Sequence, residues 1–378
     1  MSAHRDKLPR WVDLALVPAA NVLLAFVAAG LVVLAIGENP FEAVKVMLLG
    51  AFGDSEMIGY TLFYATDYAF AGLAVAVAFH AGLFNIGGEG QAYLGGLGAG
   101  LVAMALDHSG NALIVLPLAV AGAALFGAIW AAVPAYLQAY RGSHIVITTI
   151  MFNFLASALM VYLMVNVLIA PDNMSPESRD FLPSAMLPLI SNMLAGIGIA
   201  VHPSPLNIAL FLALIAAFGV WLLVWRTPWG YELRLMGYNA DAAGYAGIKS
   251  KRMVVMAMCL SGALAGLVGV NEILGVHHRL LLDFALGYGF GGIAVALMGR
   301  NHPVGILLAS LLFGALQQGG TELSFAMPQI TREMVIAIQG LVILFSGALA
   351  AMTRPWISWS LKGPLKLVRE TPAKVEGK

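Results

Sequence analysis

The sequence predicts an all-α fold: a polytopic transmembrane helical bundle of about ten spans, with both termini cytoplasmic. Composition is the first observation behind this. Hydrophobic residues make up 60% of the chain, charged residues only 11%, and mean hydropathy is +0.86. A soluble domain carries about 25% charged residues, so water is not the main solvent. Spacing is the second. The charges fall in bunches, and the apolar runs between them, about 15 to 25 residues long, match the roughly 20 residues that cross a bilayer core as helix. These runs lack the two-residue alternation of a membrane barrel strand. The third observation is that the basic residues sort to one side of the resulting map.

Taken in order, the spans fall at roughly 14–36, 62–80, 88–106, 112–139, 144–169, 206–225, 253–276, 284–298, 303–318 and 333–352. Arg5, Lys7 and Arg10 ahead of the first run resemble the start of a secretory signal. The run is longer than a signal core and no small-residue cleavage site follows it, so it reads as an uncleaved first span. The third, eighth and ninth segments are short for a full crossing.

With ten spans and a cytoplasmic N-terminus, only Lys45, Arg179, Arg279 and Arg332 fall outside, which leaves 16 of the 20 basic residues inside. That is the positive-inside distribution, and one span more or fewer would scramble it. The outer loops are acidic instead, with Glu38, Glu42, Asp54, Glu56, Asp172, Glu177 and Asp180.

The chain therefore reads as one transmembrane domain over 1–378. It has a cytoplasmic N-terminus (1–13), a long external loop (170–205), a long internal loop (226–252) and a cytoplasmic tail (353–378). The apolar stretch 186–200 reads as a helix lying on the outer surface. The internal loop divides the map into two groups of five spans with the same in-to-out start, as a tandem duplication would produce.

The segment Phe84-Asn85-Ile86-Gly87-Gly88-Glu89-Gly90-Gln91 carries the most chemistry. Each glycine weakens a helix by about 1 kcal/mol relative to alanine, and a carboxylate at membrane depth adds a few kcal/mol. A broken or re-entrant helix facing a polar cavity makes use of both costs. Phe84, Asn85, Glu89 and Gln91 are therefore expected along a solute pathway, with pinning of the bundle as the plainer reading of Glu89. Phe152 and Asn153, inside Met151-Phe152-Asn153-Phe154, are placed there too, because aromatics stack on a planar ligand; helix packing is the more common use of such a Phe.

Among the other intramembrane polar residues, Glu272 beside Asn271 reads as lying at the interface. Gln317-Gln318 before Gly319-Gly320 reads as a helix end. Clusters of glycine such as Gly95, Gly96, Gly98 and Gly100 read as close helix packing in lipid.

Several classes of site are missing from the sequence. Cys259 is the only cysteine, so no disulfide framework and no Cys/His metal spacing exist. His277-His278 lacks a carboxylate at ligand spacing and reads as an external turn. No G-x-x-x-x-G-K-[ST] occurs, so this chain holds no nucleotide cofactor by a P-loop. Membrane lipid is the partner that composition demands, and nothing points to nucleic acid.

The internal loop contains Tyr231-Glu232-Leu233-Arg234-Leu235-Met236 and then Gly237-Tyr238-Asn239-Ala240-Asp241-Ala242-Ala243-Gly244-Tyr245-Ala246-Gly247-Ile248. Asn239 or Asp241 is placed to cap a short helix, Ala242 and Ala243 lie on it, and Gly247 ends it. So small a helix has too little apolar surface to fold alone and reads as a docking element.

At these two segments the chain resembles the membrane permeases of bacterial ABC importers. The internal loop is similar to the ATPase-docking loop of the branch that includes ribose and branched-chain amino-acid permeases. The F-N-I-G-G-E-G-Q segment resembles the purine-nucleoside (guanosine-type) permeases, often called simple-sugar permeases. The resemblance covers about 68–350. It implies a heterodimer with a second permease subunit, a cytoplasmic ABC ATPase that binds the ATP and magnesium, and an external substrate-binding protein.

By match of motif, Glu232, Arg234, Gly237, Asn239, Ala242, Ala243 and Gly247 would contact the ATPase. The expected function is ATP-driven nucleoside import across the bacterial inner membrane by alternating access, with no catalysis in this chain. A ribose-like sugar is the alternative cargo. The rival class is a secondary transporter, with Glu89 or Asp67 as its proton-coupling carboxylate.

Overall fold

The structure, a computed structural model, describes residues 16–171, 174–285 and 287–347. The predicted cytoplasmic ends, 1–13 and 353–378, lie outside the described residues. Fourteen α-helices and no strand occur among the described residues, which bears out the all-α membrane bundle. The described residues divide into two compact units, one of 16–45 and 323–347 and the other of 46–322. In the first, α1 (Val17–Ala35) packs on α14 (Arg332–Gly347).

The second unit is organised around α3 (Ser55–His80), which Asp54 caps by accepting from the Met57 N–H at 2.9 Å. Nearly every residue of α3 from Thr61 onward is buried, aromatic and small alike. A helix apolar on all sides belongs at the centre of a bundle. Around it stand α4 (Gly88–Leu106), α8 (Ala209–Arg226), α11 (Ser250–Gly266) and α12 (Tyr288–Met298). α5 (Ala112–Arg141) lies against α4 and α11, and α6 (Ile145–Asn166) against α4 and α5. α13 (Pro303–Ala326) brings Gly314 onto α3.

Glycines set the closest approach in this unit. A side chain on Gly95 would run into the Gly266 backbone, and one on Gly266 into the Ala123 carbonyl. With no difference in polarity between lipid and leucine to drive association, such backbone proximity is what holds membrane helices together.

The predicted spans each contain a helix, with three differences, and the eighth is short as expected. Among the described residues, six helices are long and apolar enough to cross a bilayer, and seven if α1 and α2 (Pro40–Phe52), broken at Gly37, count as one. The sequence map missed α2, whose Glu42 and Lys45 interrupt the apolar pattern. α12 has 11 residues, which rise about 17 Å, too little for a core of about 30 Å.

α13 does not end at Gln317-Gln318. The Gln318 amide donates to Glu322 one turn on, and Gly319 admits the Met47 carbonyl, so the helix continues to Ala326. Nor is Glu272 exposed, as a residue at a water interface would be. α11 is followed by a π segment, Val270–His277, whose wider turn buries both Asn271 and Glu272.

The 170–205 face is tied down by one buried carboxylate. Asp107 accepts from both guanidinium nitrogens of Arg179 (2.7 and 2.9 Å) and from the Leu182 N–H at 3.1 Å. Ser184 donates to the Asp107 carbonyl at 2.6 Å. The short helix expected within 186–200 is α7 (Ile190–Gly196).

On the α9–α10 face, α9 (Pro228–Tyr238) starts at Thr227, which accepts from the Gly230 N–H. α10 (Ala240–Tyr245) starts at Asn239, which accepts from the Asp241 and Ala242 N–H groups at 3.0 Å. Asn239, not Asp241, is the cap, and Gly247 stops the turn with φ +81°.

Two outcomes follow from this packing. Gly266→Leu forces α11 off α4 and α5 and costs at least the ~1–3 kcal/mol of an overpacked core, whereas Gly219→Leu on α8 meets open space and is tolerated. Thermal unfolding of the purified protein, followed by size exclusion, separates the two. The second concerns acid. Arg179 holds the Asp107 carboxyl below its ordinary range, burial opposes it, and the Leu182 N–H assists. A depressed carboxyl stabilises fully above the unfolded value of about 3.9 and loses that contribution as pH falls through its folded value. The protection factor for amide exchange at 178–185, taken relative to the intrinsic rate at each pH, is therefore flat from pH 7 to 5 and falls below about pH 4, and Asp107→Asn shows the lowered protection already at neutral pH.

Candidate functional site

The break between α3 and α4 is built backbone first. α3 ends at His80, Gly82 takes φ +73°, and α4 restarts at Gly88. In lipid the amides and carbonyls freed by such a break need partners inside the protein, and the polar side chains of the segment supply them. Asn85 Nδ2 donates to Gln91 Oε1 and to Ser261 Oγ, both at 2.9 Å, while its Oδ1 accepts from the Gly87 N–H and from Gln91 Nε2. Ser261 in turn donates to the Ala74 carbonyl at 2.6 Å. Asn153 on α6 donates to the Ile86 carbonyl and accepts from the Gly90 N–H, both at 2.9 Å.

Glu89 closes the set from the other side. Its Oε1 accepts from the Gly287 N–H at 3.0 Å and its Oε2 from the Gly289 N–H at 2.9 Å. These are amides at the start of α12, where unpaired donors and the helix dipole favour a carboxylate. One turn along α4, Tyr93 donates to Asp283 at 2.8 Å.

Beside this junction lies a cavity of about 260 Å³, lined by Glu89, Tyr93, Ile150, Asn153, Phe154, Ser157 and Phe290. Phe154 and Phe290 are half or more exposed, so the cavity opens at the flank of α6 and α12.

Of the residues expected along a pathway, Glu89 and Asn153 line this cavity. Asn85 and Gln91 do not: each is 1% exposed and spent on the other. Phe84 packs edge-on against Phe79 (5.6 Å) and Phe152 against Trp130 (5.2 Å). Sequence reasoning missed Ile150, Phe154 and Ser157, although with Asn153 they form an i, i+3, i+4, i+7 stripe on α6. Tyr93 was also in reach, four residues after Glu89 on one helix face. Phe290 and Asp283 join from far along the chain and left no local signal.

The α9–α10 elbow is the second candidate surface. Leu233, Met236 and Ala243 turn inward, Glu232 and Arg234 are half-buried, and Ala242 is exposed. Tyr238 and Tyr245 project at 92% and 96% exposure. Gly237 packs so tightly on the His80 carbonyl and Gly82 that a side chain there would collide with both. The end of α9 therefore rests directly on the link that leads into the break.

This bundle, with a largely aromatic cavity beside a mended span break and an exposed two-helix elbow, is that of a multi-pass membrane transport subunit rather than an enzyme. The chain belongs to the family described as branched-chain amino acid transport system / permease component, which it matches over residues 57–347. It is 36% identical over 335 residues to the guanosine ABC transporter permease protein of Bacillus subtilis (strain 168), covering 87% of this chain and 92% of that one. It is 35% identical over 329 residues to a nucleoside ABC transporter permease protein of Lactococcus lactis subsp. cremoris (strain MG1363), covering 85% and 89%. A glucose ABC transporter permease protein of Haloferax volcanii is 34% identical over 343 residues, covering 90% and 89%. No solved structure matches the chain.

Removing the side chain of Asn153 leaves the Ile86 carbonyl and the Gly90 N–H without partners. Asn153→Ala is expected to cost ~1–3 kcal/mol per orphaned group, read as a fall in thermal stability, whereas Phe152→Leu keeps the splice and costs less.

Proposed function

We propose that this chain is the membrane-spanning permease subunit of an ATP-driven importer for nucleosides, purine nucleosides foremost, in the bacterial inner membrane. The observation that carries the transport mechanism is the contact of Gly237 with His80 and Gly82. It makes the elbow and the broken segment beside the cavity mechanically continuous.

In this reading a cytoplasmic ABC ATPase, holding the ATP and magnesium, grips Tyr238, Ala242 and Tyr245. Its closure moves α9, and the Ala81–Gly87 link carries that motion to Glu89 and α12. A second permease subunit completes a heterodimer, and an external binding protein delivers cargo to the 170–205 face. Both termini lie in the cytoplasm, on the side of the 16 basic residues.

Cargo follows from the cavity and the relatives. Phe154, Phe290 and Tyr93 offer faces on which a base stacks, a contact worth about 1–3 kcal/mol, while Asn153 and Ser157 offer hydrogen bonds for a neutral polar solute. Two relatives are named for guanosine or nucleosides and one for glucose, so a sugar is the second reading. The secondary-transporter reading is weakened at Glu89, one of its two candidate carboxylates beside Asp67, because both Glu89 oxygens accept from backbone amides.

Proteoliposomes of the complete complex test the assignment. ATP-dependent guanosine uptake is expected, with none from this chain alone under a proton gradient. Ala242→Arg, at an exposed position, is expected to reduce ATP-dependent uptake about tenfold or more, as when ~1.4 kcal/mol or more is lost at an interface, with the protein still folded. Glucose uptake without guanosine uptake would move the assignment to a sugar permease.

A further inference from the structure

A buried acid pair elsewhere in the same unit is used by neither the cavity nor the elbow. Asp67, midway along α3, is 0% exposed, and Glu272, in the π segment, is 2% exposed. Asn271 Nδ2 donates to Asp67 Oδ2 at 2.8 Å, and Asn271 Oδ1 accepts from Asn207 Nδ2 at 2.9 Å. Glu272 Oε2 lies 3.4 Å from His277 Nε2. That leaves Asp67 Oδ1 and Glu272 Oε1 buried and without partners, and Asn271, which directly precedes Glu272 and donates to Asp67, brings the two carboxyls together. The Tyr288 hydroxyl is a third buried atom without a partner. Its ring, 1% exposed, packs edge-on against Tyr68 at 5.2 Å, and its hydroxyl sits in the field of both carboxyls.

Ionised carboxylates only accept hydrogen bonds. Two of them in contact, away from water, repel each other and leave both facing oxygens unsatisfied. A single proton makes one oxygen a donor and resolves both vacancies together, the arrangement of like-charge carboxyls that share a site. We infer that Asp67 and Glu272 hold one exchangeable proton between Asp67 Oδ1 and Glu272 Oε1, and that this bridge fastens α3 to the π segment.

The groups facing it are Tyr64 and Tyr68 on α3, Asn271 and His277 on the π segment, Asn207 ahead of α8, and Tyr288 on α12. Tyr288 is a neutral, buried hydroxyl near the pair. It stands between Gly287 and Gly289, whose amides end on Glu89.

Infrared spectroscopy of the full chain in lipid nanodiscs, paired with thermal unfolding, tests this. At neutral pH the wild type is expected to show a protonated-carboxyl C=O band that strong alkali removes. Asp67→Asn and Glu272→Gln should each lose that band yet keep the wild-type Tm, because an amide donates permanently where the proton did. Asp67→Ala should lower Tm. A band unchanged in both amide variants would overturn the inference, as would a failure of both to fold. A wild-type Tm that rises with sodium but not with choline at equal ionic strength would also overturn it, because the occupant would then be a metal ion.

Discussion

Two backbone amides at the head of α12 end on one carboxylate of α4, and the second unit is arranged around that fact. A span that breaks inside a bilayer exposes donors that lipid cannot satisfy. Glu89 takes the Gly287 and Gly289 amides, and this lets an 11-residue helix begin within the protein rather than at a water interface. α3 can then stay continuous and buried while α4 restarts after Gly87. The cavity exists because α6 and α12 each meet α4 at this restart and leave space between them.

The polar residues of the broken segment therefore serve the backbone more than they serve a solute. Asn85, Gln91 and Asn153 between them cap or splice Gly87, Gly90 and Ile86. A charged or amide side chain deep in a membrane protein invites a reading as a ligand contact. Here much of that hydrogen-bonding capacity is consumed in making the irregular backbone tolerable. What is left facing the cavity is largely aromatic, with Ser157 and the rims of Asn153 and Glu89 as its polar part.

The sequence showed clearly whatever depends on composition over a long window or on local backbone chemistry. Apolar runs placed the spans, three glycines in four positions marked the break, and the Asn239 cap and Gly247 stop outlined α10. It hid what depends on contacts between distant segments. Gln317-Gln318 reads as a terminus until Glu322 and Met47 are seen to complete it. Glu272 and His277 are five residues apart, which looks like no useful spacing on an α-helix, but a π turn brings them together. Asp283 and Phe290 had no neighbours in sequence to betray them. The α6 stripe is legible at every third and fourth residue, and the neighbouring pair Phe152-Asn153 cuts across that period.

The meeting of Gly82 and Gly237 has a consequence for how such a protein diversifies. Two glycines fix the joint between elbow and break, and neither has a side chain that selection for cargo could alter. The residues around the cavity sit on other helices and can change without disturbing that joint. If the elbow takes the drive and the cavity the cargo, as proposed, the two would rest on separate residues, and a few positions on α6 and α12 could be rewritten without touching the glycine joint.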